Sequence, residues 1–429
     1  MLSTSLLHLL LPSLMFITKA SAQSDSNDVF NPKGRTKLAL EALQLWYNTT
    51  TGLWESTGWW NGANIMTMIG DYAKSDTEDE ELQDLASNVF ATALLKAPIK
   101  NPDASIDELC AYSTTPTVGN TTCHQTGYTK ILDPDTNEPH TFYPLGWYDN
   151  GGSYPTRPDS HDWLDGYYDD DLWWALAWIN AYDVTADAAY LTLAEGIFLA
   201  VSRTWGTYCS YGGIYWNWER DYVNAIANEL FFSTAAHLAN RVHDDKKKTL
   251  YLYWAEKSLN WFVGSGMINE HGTINDGLTE DCANNNKTVW SYNQGVILGG
   301  FVELYQASSS PHSAYLVLAS GIANAALVAL SDENGVLHDE CEPNCGADGA
   351  QFKGIFMRNL VKLHTVAPEK VFANAIHVNA ASIWERDRAV TVDGLPVFSV
   401  HWGGPWVTPA NASTHSSAMD ALVADIVVD

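Results

Sequence analysis

A chain of 429 residues with a formal net charge of −28 is repelled by phosphate backbones and anionic headgroups, which excludes nucleic-acid and acidic-membrane binding. Its length permits one large core or two ordinary ones. Eighteen tryptophans and twenty tyrosines exceed what catalysis alone needs; a large helical core accounts for many, but several stand in Gly-rich polar loops, where a flat ring can stack on a sugar's C–H face.

In chain order, residues 1–22 carry an apolar stretch from Leu6 to Ile17, then Ala20-Ser21-Ala22 before Gln23. That pattern predicts a cleaved secretory signal, too short to span a bilayer. No second apolar run of spanning length is read downstream, and the C-terminal MDALVADIVVD lacks the long tail of a lipid-anchor signal. The expectation is a secreted protein, extracellular or wall-associated and not inserted in a membrane. Sequons at Asn48, Asn120, Asn286 and Asn411 agree with a glycosylated surface. The six cysteines are an even set for an oxidising compartment. Proximity favours Cys110–Cys123 and Cys341–Cys345, leaving Cys209 with Cys282, although six cysteines permit about fifteen pairings. A zinc reading of Cys341 and Cys345 is weaker, since no suitable His pair sits nearby.

Apolar residues recur at helical spacing through most of the chain. Twelve helices are predicted, at 37–48, 61–74, 78–97, 170–184, 186–205, 222–242, 245–266, 290–307, 311–331, 351–365, 368–386 and 413–427. Five connections are short polar turns: KSDTE, VTADA, HDDKKK, SSSPH and VAPEK. They follow every second helix, as in αα-hairpins. The others are long and rich in Gly, Trp, Tyr and Asn, among them YCSYGGIYWNWERD and EPNCGADGAQFKG. Alternating short and long links place all long loops at one end, which predicts an all-α toroid of six helical hairpins with an elaborated mouth. No linker divides residues 23–429, so a single domain is expected, with a long loop insertion at about 99–162.

The stretch YDDDLWWALAWINAYDVT (168–185) sets three carboxylates at a predicted helix start. Acidic residues there are stabilised by the helix dipole, and that reading stands beside a catalytic one. Neighbouring helical residues point about 100° apart, so two adjacent Asp can flank one sugar. Glycoside hydrolysis needs one such group ionised and one protonated; the dipole favours ionisation of one, while the adjacent charge and the rings raise the pKa of the other. A DDxxD prenyl-transfer motif fails, because the fifth position is Trp173, Trp174 or Ala175. No G-x-S-x-G elbow, H-E-x-x-H helix or P-loop appears, and SDENG (331–335) lacks the ligands of a calcium loop.

The acidic stretch closely resembles the DDxxWW segment of glycoside hydrolase family 76, the α-1,6-mannanases. Similar stretches follow in order: GWWNGAN (58–64), GGIYWN (212–217), NAIANELF (224–231), SYNQGVILGG (291–300) and QFKGIFMRNL (351–360). The resemblance implies an (α/α)6 barrel and retaining endo-cleavage of α-1,6-mannosidic links in mannan, without a metal or other cofactor. It implies that Trp173 and Trp174 set the register, making Asp169 the nucleophile and Asp170 the acid/base, with Asp171 a cap or supporting charge. Asn64, Asn293 and Gln294 are candidate sugar binders, or loop caps; Trp60 and Trp216 are candidate sugar platforms, or core rings. Lys353 and Arg358 have the bland alternative of pairing with acidic neighbours, and His161 and His401 carry no assigned role. The partner expected is α-1,6-mannan or its oligosaccharides, bound by a monomer. The rivals are a fungal wall transglycosidase that passes the mannosyl group to another glycan, and a non-catalytic mannan-binding protein.

Overall fold

The computed structural model describes residues 31–98, 159–308 and 312–429, with four short strands between 117 and 142. The expected signal segment, Cys110–Cys123, the Asn120 sequon and, apart from those strands and its end at 159–162, the 99–162 insertion lie outside the described residues. Twelve helices are described: α1 (Pro32–Leu43), α2 (Trp59–Ser75), α3 (Glu80–Lys96), α4 (Tyr168–Thr185), α5 (Ala188–Ser202), α6 (Ala225–Arg241), α7 (Asp245–Gly264), α8 (Ser291–Ala307), α9 (Ser313–Leu330), α10 (Phe352–Val366), α11 (Lys370–Arg386) and α12 (Ala412–Val428).

Local chemistry sets the ends. Aspartates in the short turns cap the helices that follow: Leu82 N–H donates to Asp79, Ala189 N–H to Asp187, and Lys246 and Lys247 N–H to Asp244. The first helix departs from its predicted span. It begins at Pro32, because Asn31 accepts from Gly34 N–H at 2.7 Å and proline suits the first helical position. It ends at Leu43, where a 3₁₀ turn leads into the hairpin of β1 (Tyr47–Asn48) and β2 (Leu53–Trp54).

Two burial patterns sort the helices into rings. Every residue of α6 from Ala225 to Ala239 is buried, whereas α7 buries only Tyr251, Ala255, Ser258, Leu259 and Phe262, a single stripe. The all-round buried helices pack in sequence, α2 on α4, then α6, α8, α10 and α12, and α12 returns to α2 to close the ring. The remaining helices lie outside, each beside the inner helix before it, with α5 buried over most of its length and α1 covering α12. Glycines let inner backbones meet: a Cβ on Gly295 would stand 2.5 Å from the Phe356 Cα, and one on Gly354 would stand 2.6 Å from the Ser417 carbonyl oxygen. The fold is the expected (α/α)6 barrel.

Each inner helix is entered through a long loop, so all six N-termini open on one mouth. Disulfides Cys209–Cys282 and Cys341–Cys345 form as proximity favoured, the first tying the α5–α6 loop to the α7–α8 loop. One expectation is corrected. Helix α9 is, by length and composition alone, apolar enough to cross a membrane, so a second run of spanning length does exist. It sits in the outer ring with 33% of its length buried, on the stripe Ala319, Ile322, Ala323, Ala326, Leu327 and Leu330.

Candidate active site

A cavity of about 460 Å³ opens at the mouth. Its walls carry four carboxylates, Asp169, Asp170, Asp276 and Asp348, and rings that include Trp60, Trp216, Tyr222 and Tyr292. Among the described residues, no Lys, Arg or His lines it.

Asp169 and Asp170 occupy the first turn of α4, whose entry is held by loop pairing. Tyr168 N–H donates to the Trp216 carbonyl at 2.9 Å, and Trp218 N–H to the Gly166 carbonyl at 3.0 Å. The third aspartate turns away. Asp171 is fully buried and accepts the Asp165 N–H at 2.9 Å, while Asp165 accepts the Tyr167 N–H at 2.8 Å. Asp171 thus fastens the loop that presents its two neighbours.

The two cleft carboxylates differ in one decisive contact. Trp216 Nε1–H donates to Asp169 Oδ2 at 3.0 Å. Burial pushes Asp169 up to about 7, with the Trp216 hydrogen bond opposing that rise. Burial, and then repulsion from Asp169, push Asp170 well above the ordinary carboxylate range. Asp169 therefore ionises first while Asp170 keeps its proton. This is the asymmetry that a nucleophile and an acid require of two like groups.

The rings are seated by side-chain contacts. Trp60 stacks on Trp173 with centroids 6.0 Å apart and donates its Nε1–H to Asp348 at 3.0 Å. Tyr292 stacks on Phe352 at 3.7 Å. On the opposite wall, Tyr222 O–H donates to Asp276 at 2.5 Å, and Asn285 donates to the Tyr222 oxygen at 2.8 Å.

Asp169, Asp170, Trp60 and Trp216 are brought together; Asn64, Asn293 and Gln294 are not. Asn64 lies one turn below Trp60, donating to the Trp60 carbonyl at 3.2 Å and accepting from Arg358. Gln294 exchanges two 2.8 Å hydrogen bonds with the backbone of Ile274 and so pins the α7–α8 loop. Asn293 is fully buried, with no hydrogen-bond partner among the described residues. None of the three lines the cavity. Lys353 takes the bland role, paired with Glu342 at 2.5 Å and donating to the Val400 carbonyl at 2.6 Å. Arg358 pairs with Asp420 at 3.3 Å beneath Trp173. His401 Nδ1 lies 3.2 Å from the Pro405 carbonyl oxygen, outside the cavity, and the His161 side chain lies outside the described residues. Among the described residues, no His, Cys, Asp and Glu cluster is arranged to hold a metal ion.

Sequence reasoning missed Asp276, Asp348, Tyr222, Tyr292 and Phe352. A signal existed for three of them: Tyr292 and Phe352 stand in the SYNQGVILGG and QFKGIFMRNL stretches, and Asp348 in the Gly-rich loop before the latter.

The model of glycosyl hydrolase family 76 matches residues 139–428, more than half of the chain. The chain belongs to that family. The Mannan endo-1,6-alpha-mannosidase of Saccharomyces cerevisiae is 30% identical over 47% of this chain and 47% of its own length. That of Candida albicans is 29% identical over 47% of this chain and 48% of its own length. The matches thus span about half the length of these curated relatives. Among solved structures, the chain superposes on an inactive α-1,6-mannanase variant from Salegentibacter sp. in complex with α-1,6-mannotriose, with a TM-score of 0.66 and 18% identity over 93% of this chain and 100% of that one. That variant has two adjacent aspartates replaced by asparagine. Dfg5 from Chaetomium thermophilum, in complex with glucosamine, superposes with a TM-score of 0.67 and 17% identity over 94% and 92% of the two chains. At these identities the superpositions show the fold.

Proposed function

We propose that this chain is an endo-acting α-1,6-mannanase that cleaves mannan with retention of configuration, working as a secreted, wall-associated monomer. The observation that carries the mechanism is the Trp216 N–H on Asp169 alone, which leaves one carboxylate of the pair ionised and the other protonated. Ionised Asp169 attacks the anomeric carbon from one face of the sugar. Asp170 gives its proton to the departing glycosidic oxygen, yielding a mannosyl ester on Asp169 and a free sugar hydroxyl. Asp170, now ionised, takes a proton from water; the water oxygen displaces Asp169, and both carboxyls return to their starting states.

The surrounding groups suit a neutral polyhydroxylated substrate. Asp276 and Asp348 can accept from sugar hydroxyls, and Trp60 and Trp216 offer flat faces beside the dyad. The adjacent pair of aspartates substituted in the inactive mannotriose-bound relative and the mannosidase names of the yeast relatives support substrate and linkage. The two disulfides support an oxidising compartment, consistent with residues 1–22 as a removed signal and the remainder as one catalytic domain.

The test is digestion of linear α-1,6-mannan with the anomers of early products read by proton NMR. Shorter products of initial α configuration are expected. Initial β products would remove the covalent step and with it the role of Asp169. Longer chains formed with an added oligosaccharide acceptor would instead assign the enzyme to transfer.

A further inference from the structure

The loop that carries Trp216 and Tyr222 into the cleft also holds two tyrosines outside it. Tyr211 is 91% exposed and Tyr208 44% exposed. Singly exposed rings are ordinary; the backbone beneath these is not. Gly212 N–H donates to the Cys209 carbonyl at 3.2 Å, closing a turn whose central residues, Ser210 and Tyr211, have φ of 58° and 54°. Such a turn takes Asn or Gly at these positions, and a bulky side chain there is strained. The neighbouring glycines are not free to share the strain: a Cβ on Gly212 or Gly213 would stand 2.2 or 2.4 Å from the Trp261 ring.

The turn is anchored on every side. Trp261 Nε1–H donates to the Cys209 carbonyl at 3.1 Å, Cys209 is bonded to Cys282, and Thr207 O–H donates to the Gly212 carbonyl at 2.7 Å. It is also continuous with the cleft wall. Tyr208 lies 5.7 Å from the Tyr215 ring and its N–H donates to the Tyr215 hydroxyl at 3.2 Å; the next residue is Trp216, on Asp169. An anchored turn that holds an uncovered aromatic ring in a strained conformation gains nothing for the core. Its value lies with a ligand that meets the ring.

We infer that Tyr208 and Tyr211 form a distal glycan platform, binding mannosyl residues of the same polymer whose scissile bond lies at Asp169 and Asp170. The inference rests on the mannanase reading and extends it to polymer recognition. The two rings lie beyond the cavity, where an endo-acting enzyme's substrate continues past the subsites that hold the reacting sugars.

The test is affinity electrophoresis in gels containing linear α-1,6-mannan, with Asp169→Asn as the background so that the polymer stays intact. Adding Tyr211→Ala should weaken retardation about 3- to 10-fold, the value of one lost ring contact, while Tyr211→Phe should retain it. Tyr211→Gly separates ligand binding from a structural role: relief of the left-handed strain should raise Tm even as retardation falls. Equal retardation of the Tyr and Ala forms, or a lowered Tm for the Gly form with binding lost only in proportion to unfolding, overturns the platform. If wild type cleaves mannotetraose yet the Asp169→Asn chain is not retarded by mannan, the platform fails and the activity stands. If wild type cleaves no α-1,6-mannoside, the proposed activity fails and the platform with it.

Discussion

The two ends of the helical ring carry opposite arrangements of charge. All six inner helices run in the same direction, so their N-termini converge on the mouth and their C-termini on the base, with the dipole field reversed between them. At the base, a cavity of about 210 Å³ is lined by Lys74, Arg241, Arg358 and Lys362 among acidic partners. Arg241 bridges Asp183 at 2.7 Å and Glu303 at 2.6 Å, and Lys74 pairs with Asp71 at 2.7 Å. Pairing there overcomes burial: Glu303 is held down at about 2, although burial alone would raise it. His237 is lowered to about 4, because burial outweighs the Glu303 charge 3.3 Å away. At the mouth Asp169 and Asp170 have no cationic partner among the described residues of the cleft wall, and burial pushes both toward protonation. Trp173 lies between, lining both cavities. The paired charges hold the ring together; the unpaired ones cost stability and are free to exchange protons with a substrate.

The largest effect should separate the ends by rate. Asp169→Asn is expected to reduce kcat on mannan by about 10⁴-fold or more while raising Tm near neutral pH, since a buried charge is removed. Loss of rate together with loss of Tm would mean that Asp169 supports the fold as the base residues do. Glu303→Ala should do the reverse. Arg241 keeps Asp183 but loses its buried Glu303 partner, which costs about 3 kcal/mol of stability, read as a lower urea midpoint, with kcat per folded molecule nearly unchanged.

Stability against pH sharpens the same contrast. Asp169 has a raised folded pKa, so the folded state binds the extra proton, and its stabilising contribution fades as pH rises from about 4 through about 7. Glu303 has a lowered folded pKa, so its contribution is present above about 4.5 and fades as pH falls toward about 2. Urea midpoints across pH should therefore show Asp169→Asn flattening the neutral limb and Glu303→Gln the acid limb. Identical curves for wild type and Asp169→Asn would remove the raised pKa.

A smaller effect tests what splits the dyad. Trp216→Phe keeps a ring but removes the N–H from Asp169, so its pKa should rise and the acid limb of the kcat/KM profile should move up by about one pH unit. An unmoved limb would show that the hydrogen bond does not set the order of ionisation. The smallest is Asp171→Asn, which retains an acceptor for the Asp165 N–H and should change kcat less than about tenfold. Inactivation as complete as that of Asp169→Asn, in a folded chain, would shift the dyad by one residue.

The sequence by itself determined the ring and placed an acidic run at its mouth. Periodicity counted the helices, the alternation of short and long links put every long loop at one mouth, and the resemblance to family 76, through Trp173 and Trp174, implied which aspartates form the pair. These signals are local, carried by residues within one turn or one connection of each other. The fate of Asn64, Asn293 and Gln294 was illegible because an amide near a loop reads alike whether it meets a sugar, a guanidinium or a backbone strand; only the rotation of α2 and α8 about their own axes, set by packing, turned them from the cleft. Nor could periodicity show that Asp276 and Asp348, on separate loops, would meet Asp169 across one cavity. That convergence depends on ring closure, and on contacts such as Gln294 with Ile274 and Cys209 with Cys282 that span loops distant in sequence. The acidity order of the dyad was likewise decided in three dimensions, by an indole N–H from a residue 47 positions along the chain.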